Sequence, residues 1–442
     1  MTRKWTTALL LGTIAAVAAG CGSNSNVPAA GSDKPAEQKK EPVELTVFFP
    51  YAADWPEKDF METFGQPIMN KFSNVTIRFL AGGKVEELIA AGQTIDIIYA
   101  STGATPPFLI EPKLQYDITP QIQKFKYDLT RIEPTMLDTA RQMAGGQGLY
   151  GLPVYTPPSA IYYNKDIFNK FGVAYPKDGI TWDELFELTK SLTRSEGGVN
   201  YTGLGSSYAH LGLLNQFSVP FVKTDTKTSA FDTDPRWKSI TENLLRFYTL
   251  PGYAHIKSTQ ISEPHERNRF FKDRTEGMFL ALTALHSSQE VGDMNWDLAS
   301  FPVFKELPDT GPQAYPTYFY VTSMSKHKDQ AFEAIAYLTS DEYQLKKAKE
   351  GKFLPTLSDK SIRAKFGQDN PMYAGKNVKA LQPDKYAKAG SVNKYNGSNL
   401  GEYNTVMRDI LFNNKDVNTS LRESAERINK KIIEADTAAG AK

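Results

Sequence analysis

From residue 43 onward, apolar and polar positions follow patterns typical of alternating strands and helices. Val43–Phe49 alternates and then runs apolar, as a buried strand does. Two further strands are predicted at Val75–Phe79 and Ile95–Tyr99, with a helix over Lys84–Gly92 between them. Strands that alternate with helices form parallel sheets with right-handed crossovers. The pattern therefore predicts an α/β fold.

Helix signals continue along the rest of the chain. Thr181 and Glu184 are spaced as a capping box ahead of an apolar periodic stretch, which predicts the start of a helix. Helical patterns also cover Ala331–Leu338 and Asp341–Glu350. Near the C-terminus, four apolar residues recur at helical spacing and form one face: Leu421, Ala425, Ile428 and Ile432.

The first 21 residues have the layout of a secretory signal. Two basic residues precede the apolar run Ala8–Ala19, which is shorter than the ~20 residues that a membrane-spanning helix needs. Small residues then lead directly to Cys21, the only cysteine of the chain. Ala18–Cys21 resembles a bacterial lipobox, in which the cysteine is diacylated and becomes the mature N-terminus. The resemblance implies a lipoprotein signal peptide over residues 1–21, with an ordinary signal peptide as the alternative.

Residues 22–42 predict a flexible tether between the lipid and the folded protein. They consist of Ser, Asn, Gly, Pro and charged residues without periodicity, and such a stretch cannot bury enough apolar surface to fold. We expect order to begin at Val43.

Composition excludes several classes of protein. The chain has 442 residues, 40% of them hydrophobic, which suffices for two or three ordinary domains. Lys and Arg number 51 and Asp and Glu 50, so the net charge of +1 gives no basic excess for nucleic acid. A single cysteine also rules out a disulfide scaffold.

Motifs for catalysis or metal binding are missing from the sequence. None of the five histidines lies in an H-E-x-x-H motif or in a Cys/His cluster. No G-x-S-x-G nucleophile elbow and no complete phosphate-binding glycine loop occurs. Carboxylate pairs such as Glu86–Glu87 are present, but a glycosidase needs two carboxylates at a fixed distance in a cleft. We therefore expect no catalytic residue, no metal and no cofactor.

The stretch from residue 148 to 193 is the most specific part of the chain. Gly148–Pro153 is followed by Ile161–Val173, by the Thr181 capping box and by Leu192–Thr193. In order and spacing, this stretch resembles the signature of the extracellular solute-binding proteins of sugar ABC importers, the maltose-binding-protein-like family. Further segments resemble other parts of the same family: Asp96–Ile98, Leu114–Pro120, Phe271–Met278, Phe301–Pro302 and Ala331–Gln344.

The resemblance implies a particular α/β architecture, the two-lobed periplasmic-binding-protein-like fold of type II. Each lobe is expected to hold a mixed sheet flanked by helices, and hinge strands join the two lobes. Lobe 1 is expected over residues 43–153 and 303–350, and lobe 2 over residues 154–302 and 351–442. Such lobes close around a ligand by hinge motion.

The resemblance also implies a function. We expect a monomeric, lipid-anchored receptor on the extracellular face of a bacterial cell membrane, held there by the diacylglycerol on Cys21. It would capture a carbohydrate, an oligosaccharide first among the candidates, and deliver it to the permease subunits of an ABC importer. It would not be an enzyme. Three alternatives remain open: a non-sugar solute, a cleft enzyme acting on polysaccharide, and a sensor or adhesion lipoprotein without transport.

Candidate ligand-binding residues follow from where such folds hold their ligands, at the carboxyl ends of strands and at the hinge segments. Sugars offer hydroxyl groups to polar side chains and C–H faces to aromatic rings. The expected ligand-binding residues are Tyr51, Asp54, Trp55, Ser101, Thr102, Tyr155, Ser206, Tyr208, His286, Tyr315 and Tyr318. Trp55 has the alternative of capping the adjacent helix.

Other aromatic residues are expected in the core rather than in the site: Tyr162, Tyr163, Trp182, Trp237 and Trp296. Two departures from the family pattern bear on the ligand. Leu282–Ala284 and Ala100 stand where the family often has aromatic residues that stack on sugar. These departures put a maltodextrin ligand in doubt and leave open another oligosaccharide or a non-sugar solute.

Overall fold

The computed structural model describes residues 41–51, 56–282, 288–390, 393, 395 and 399–440. Cys21, the predicted signal peptide and nearly all of the predicted tether lie outside the described residues. Every element below belongs to one compact unit, residues 42–442. Among the described residues, no helix is both long enough and apolar enough to cross a membrane.

The described part of the chain contains eleven strands, which form two sheets. They are β1 Val43–Phe49, β2 Val75–Ala81, β3 Ile97–Ser101, β4 Gly151–Thr156, β5 Ala160–Asn164, β6 Arg194–Glu196, β7 Val199–Ser206, β8 Glu276–Ala281, β9 Trp296–Ser300, β10 Thr317–Val321 and β11 Leu354–Pro355.

Helices connect and cover these strands. The α-helices of the described residues are α1 Glu57–Phe60, α2 Gln66–Lys71, α3 Val85–Ala90, α4 Thr119–Lys124, α5 Pro134–Met143, α6 Lys165–Phe171, α7 Trp182–Leu192, α8 Tyr208–Leu213, α9 Arg236–Tyr248, α10 Glu263–Asn268, α11 Ser288–Val291, α12 Lys328–Leu338, α13 Asp341–Lys349, α14 Lys360–Arg363, α15 Leu400–Asn413 and α16 Val417–Gly440.

The first sheet has six strands in the order β11-β4-β10-β3-β1-β2. β1 pairs in parallel with β2 and with β3, as the alternation of strands and helices predicts. β10 arrives late in the chain and pairs antiparallel with both β3 and β4. The strand predicted at Val43–Phe49 is confirmed with the same bounds. The other two predicted strands are present as β2 and β3, each ending two residues later than predicted.

The second sheet has five strands in the order β6-β7-β8-β5-β9. β7 and β8 pair in parallel, whereas β5 pairs antiparallel with β8 and with β9. Both sheets are therefore mixed, as the resemblance implies. We call the six-stranded sheet with its helices lobe 1 and the five-stranded sheet with its helices lobe 2.

Each lobe has its own apolar core. In lobe 1 the rings of Tyr99 and Phe319 stack with centroids 4.9 Å apart, and both rings are buried. In lobe 2 the rings of Trp237 and Tyr403 lie 5.4 Å apart and are fully buried. The other rings expected in the core are buried as well: Tyr162, Tyr163, Trp182 and Trp296.

Two helix predictions are confirmed in detail. Thr181 caps α7, since its hydroxyl oxygen accepts a hydrogen bond from the Glu184 N–H at 3.2 Å while the Glu184 carboxylate accepts one from the Thr181 N–H at 2.8 Å. The C-terminal helix α16 turns its predicted apolar face into the lobe 2 core, where four residues are buried: Leu421, Ala425, Ile428 and Ile432.

The chain passes between the two sheets at three places. It passes from lobe 1 to lobe 2 after Thr156 and returns to lobe 1 between Ser300 and Thr317. It passes to lobe 2 for the second time after β11, and its C-terminal helices pack there. The first segment of lobe 1 is expected to end at residue 153, and β4 of the first sheet continues to Thr156. The last segment of lobe 2 is expected to begin at residue 351, and β11, at Leu354–Pro355, lies in the first sheet. The expected residue bounds of the lobes stay predictions.

Candidate functional site

Tyr51 presents an aromatic ring at the carboxyl edge of the first sheet. It follows β1 directly, and its ring packs edge-on against Phe49 at 5.8 Å and against Phe108 at 5.7 Å. Its side chain is nevertheless 44% exposed. Phe108 belongs to the π-helical turn Pro106–Ile110 that follows β3. Two strand ends thus supply one partly exposed aromatic surface, which suits the C–H face of a sugar.

The loop after β3 is tied to the segment that enters β10. Ser101 Oγ donates a hydrogen bond to the Tyr315 hydroxyl at 3.4 Å. The Thr102 N–H and hydroxyl both donate to the Pro316 carbonyl oxygen, at 3.1 and 3.2 Å. The structure therefore brings together three residues that are predicted from separate parts of the sequence: Ser101, Thr102 and Tyr315.

Glycine at position 103 allows this close approach. A Cβ atom on Gly103 would lie 2.4 Å from the Tyr315 hydroxyl oxygen, closer than Cβ atoms approach other atoms in proteins. Burial raises the pKa of Tyr315, so its hydroxyl stays protonated and can donate as well as accept.

Two of the predicted residues lie within lobe 2. Ser206 ends β7, and its hydroxyl donates to the Leu280 carbonyl oxygen at 3.1 Å. Tyr208 opens α8 and packs edge-on against Tyr248 with ring centroids 4.7 Å apart. Both side chains are buried, and burial raises the pKa of Tyr208 well above its usual value. Both residues therefore belong to the interior of lobe 2.

Two further predicted residues lie in the core of lobe 1. Tyr318 is fully buried, and its hydroxyl donates to the Met136 carbonyl oxygen at 2.7 Å. Tyr155, in β4, packs its ring against Phe64 at 6.0 Å and Phe353 at 5.6 Å. Asp54, Trp55 and His286 complete the predicted set and lie outside the described residues.

A cavity of about 40 Å³ lies where lobe 1, lobe 2 and the segment before β10 meet. The described residues that line it are Thr102, Gly103, Pro106, Thr139, Leu213, Leu214, Val219, Pro220, Phe221, Gln313, Ala314, Tyr315, Gly390 and Asn393. We call this space the interlobe cavity. It has room for a few water molecules, whereas pockets for small ligands usually measure roughly 300–1,000 Å³. A sugar can enter only if the lobes move apart.

The lining of the interlobe cavity favours an uncharged, partly polar ligand. None of its described lining residues carries a charge. Hydroxyl and amide groups from Thr102, Tyr315 and Gln313 face apolar side chains such as Leu213 and Phe221. Such a mixture hydrogen-bonds to hydroxyl groups and covers C–H surface.

Gln313 is a lining residue that sequence reasoning did not identify. Its amide nitrogen donates to the Asn215 carbonyl oxygen at 2.9 Å, and its amide oxygen accepts from the Gly390 N–H at 2.6 Å. It thereby joins the segment before β10 to two parts of lobe 2. No motif marks this glutamine in the sequence, because its partners lie about 75 to 100 residues away along the chain.

Lobe 2 also buries a group of three charged side chains, which we call the acid–arginine cluster: Glu266, Arg269 and Glu276. Arg269 forms ion pairs with Glu266 and, at 3.4 Å, with Glu276. Both carboxyl groups are fully buried, and this burial raises the pKa of Glu266 and, further, that of Glu276. Among the described residues, no group of three or more His, Cys, Asp or Glu side chains could hold a metal ion.

Two lobes with mixed sheets, three chain passages between them and a cavity at their junction are the architecture of two-lobed periplasmic binding proteins. Residues 54–345 match the family model of the bacterial extracellular solute-binding proteins. Because this match covers more than half of the chain, the protein belongs to that family.

Individual relatives and solved structures are similar to this chain. A binding protein of Brucella abortus (strain 2308) is 24% identical over 258 residues, which are 54% of this chain and 56% of the relative. The ABC substrate-binding protein Lmo0181 of Listeria monocytogenes, solved in complex with cycloalternan, has a TM-score of 0.69 and 18% identity, covering 89% of this chain and 99% of that chain. The sugar-binding protein MalE of Xanthomonas citri has a TM-score of 0.68 and 16% identity, covering 90% and 100% of the two chains. The chain thus spans little more than half the length of the curated relatives it matches, and the solved structures share its fold.

Proposed function

We propose that this protein is a lipid-anchored extracellular receptor of an ABC importer that captures a neutral carbohydrate, an oligosaccharide foremost, between its lobes. The observation that carries the proposal is the uncharged interlobe cavity, whose lining comes from both lobes and from the segment that joins them. Family membership supports solute binding, and the carbohydrate ligands of proteins with the same fold support a sugar.

The proposed contacts divide by position. Tyr51, Ser101, Thr102 and Tyr315 lie at the carboxyl edge of the first sheet, and two of them, Thr102 and Tyr315, line the interlobe cavity, so we assign all four to the sugar directly. The other described residues of the predicted set hold the walls of the site in place: the half-buried Tyr155 and the buried Ser206, Tyr208 and Tyr318. Asp54, Trp55 and His286 remain proposed sugar contacts on their sequence positions alone.

The proposed anchor is a diacylglycerol on Cys21, linked to the folded unit through residues 22–42. Two acyl chains suffice for stable anchoring where one is marginal. Replacing Cys21 by Ser is expected to release the protein from the membrane fraction while leaving its melting temperature unchanged. A Cys21→Ser protein that stays in the membrane pellet after a carbonate wash would contradict the anchor.

Sugar binding is tested by the melting temperature in the presence of candidate ligands. Suitable probes are cycloalternan, mannotriose, tagatose and mannitol, which solved proteins of this fold bind. A ligand at 100 times its dissociation constant adds about 2.7 kcal/mol to native stability, so binding raises the melting temperature by several degrees. Chromatography of the same mixtures is expected to return the sugars intact. A flat melting temperature across a wide panel, or cleaved sugar, would contradict a transport receptor.

A further inference from the structure

His210 lies next to residues that line the interlobe cavity, although it is not itself one of them. It belongs to α8, and Leu213 and Leu214, three and four residues later, line the cavity. Residues at this spacing share one face of a helix. The His210 ring also meets the Tyr315 ring nearly edge to face, with centroids 5.8 Å apart and an interplanar angle of 76°. The His210 ring therefore packs against the tyrosine whose hydroxyl accepts a hydrogen bond from Ser101 of lobe 1.

One nitrogen of the His210 ring is occupied and the other is available. Nδ1 lies 2.7 Å from the hydroxyl of Ser207, the residue directly before α8. In the described part of the chain, Nε2 has no hydrogen-bond partner, and the side chain is mostly but not fully buried. Burial lowers the pKa of His210 to about 4, so the ring is neutral at pH 7. A neutral ring with Nδ1 fixed offers one defined donor or acceptor at Nε2.

We infer that His210 contacts the ligand directly, with Nε2 hydrogen-bonded to one sugar hydroxyl and Ser207 setting the orientation of the ring. The inference rests on the proposed function, since it names a further contact of the same site. A neutral imidazole can form a hydrogen bond with an uncharged hydroxyl group, and the Tyr315 ring packs against the imidazole and limits its movement. The packing of the His210 ring on Tyr315 also links the lobe 2 helix to a residue that is hydrogen-bonded to Ser101 of lobe 1.

The chain offers a matched control for this histidine. Ser262 and His265 repeat the same arrangement, a serine before a helix whose hydroxyl lies 2.9 Å from Nδ1 of the histidine three residues later. His265 sits on α10, and the residues three and four positions after it do not line the interlobe cavity, whereas those after His210 do. Any effect of the local serine–histidine pairing on helix stability is common to both sites, so a difference between them reports on the ligand.

The test measures the affinity of purified variants for whichever of cycloalternan, mannotriose, tagatose and mannitol binds the wild type most tightly. His210→Phe keeps the ring against Tyr315 but lacks nitrogen, and we expect its affinity to fall by about tenfold, as the loss of a buried hydrogen bond does. His210→Gln carries an amide at a similar reach and is expected to bind within about threefold of the wild type. His265→Phe is expected to bind like the wild type.

The outcomes separate the inference from the function on which it rests. If the wild type binds a sugar and His210→Phe binds it equally well, the inference is wrong and the proposed function stands. If the wild type binds none of the sugars in a wide panel, the proposed function is overturned and the inference with it. Should His210→Phe fail to fold, His210→Asn replaces it, because its amide is polar but too short to reach the ligand. If His210→Asn binds the sugar as tightly as the wild type does, the inference is likewise wrong.

Discussion

At the scale of single residues, the close approach of lobe 1 to the segment before β10 depends on the missing side chain of Gly103. The position of Ser101 and Thr102 after a strand could be predicted from the alternating pattern. Their hydrogen bonds to Tyr315 and Pro316 could not, because each joins residues 214 apart along the chain. Likewise, no local pattern shows that the Tyr318 hydroxyl is buried against the Met136 carbonyl oxygen, 182 residues away along the chain.

Replacing Gly103 by Ala is expected to weaken sugar binding by about tenfold. The new methyl group would lie 2.4 Å from the Tyr315 hydroxyl oxygen, so the ring must move away from Ser101 and from the cavity wall. Titration calorimetry with the best sugar of the panel measures the loss, and a factor of ten corresponds to about 1.4 kcal/mol. Gly401→Ala is the control, since nothing lies within 4 Å of a Cβ atom there. If Gly103→Ala binds the sugar as tightly as the wild type does, sugar binding does not depend on the present position of the Tyr315 ring.

The acid–arginine cluster makes the stability of the protein depend on pH. Burial raises the folded-state pKa of Glu276 well above the 4.5 of a free carboxyl. Its contribution to stability is therefore complete below the unfolded pKa and is lost as the pH rises through the folded pKa. We expect the free energy of unfolding to fall between about pH 5 and about pH 8, and to fall less in Glu276→Gln, which cannot ionise.

Urea unfolding at both pH values measures this difference. The exposed Glu187, which pairs with Lys190 on the surface of α7, supplies the control variant Glu187→Gln, whose pH dependence should match that of the wild type. If Glu276→Gln loses as much stability between the two pH values as the wild type does, Glu276 does not take up a proton on folding.

At the scale of elements, local sequence rules predicted helices more completely than they predicted strand partners. The capping box of α7 and the apolar face of α16 need only a few neighbouring residues, and both are confirmed. Sheet order is different, since β10 lies between β3 and β4 through pairings that no local pattern encodes. The mixed sheets were expected through resemblance to a family and not from periodicity.

The face of α16 supplies a direct comparison of buried and exposed isoleucine on one helix. Ile428 is fully buried in lobe 2, whereas Ile433 is 67% exposed. Ile428→Ala is expected to lower the free energy of unfolding by about 2–5 kcal/mol, because it removes apolar contacts and leaves a cavity. Ile433→Ala should change it by less than about 0.5 kcal/mol. Chemical denaturation measures both, and similar values for the two variants would contradict the packing of α16 on lobe 2.

At the scale of the whole molecule, the small interlobe cavity implies motion. A cavity of about 40 Å³ cannot hold a sugar, so the proposed sugar site requires the lobes to separate and then to close on the ligand. The two lobes could be predicted from the family signature near residue 148, but the size of the space between them depends on side chains from both lobes and could not.

Small-angle X-ray scattering tests this closure. The radius of gyration is expected to decrease when the best sugar of the panel is added at a concentration well above its dissociation constant, because the bound ligand favours the closed form. A sugar that leaves the melting temperature unchanged serves as the negative control. Tight binding without any change in the radius would mean that the lobes do not close on the ligand.

The late position of β10 in the chain also bears on the order in which the protein folds. β3 and β4 cannot be joined until Thr317–Val321 has been synthesised, and until then both strands present open edges to other chains. The lobe 2 core waits even longer, since it includes Leu421 and Ile432 of the last helix. Both lobes can therefore complete their cores only late in synthesis, and pairings this distant form slowly. If the first residues act as the export signal that their pattern predicts, such a delay would keep the chain extended while it is moved across a membrane.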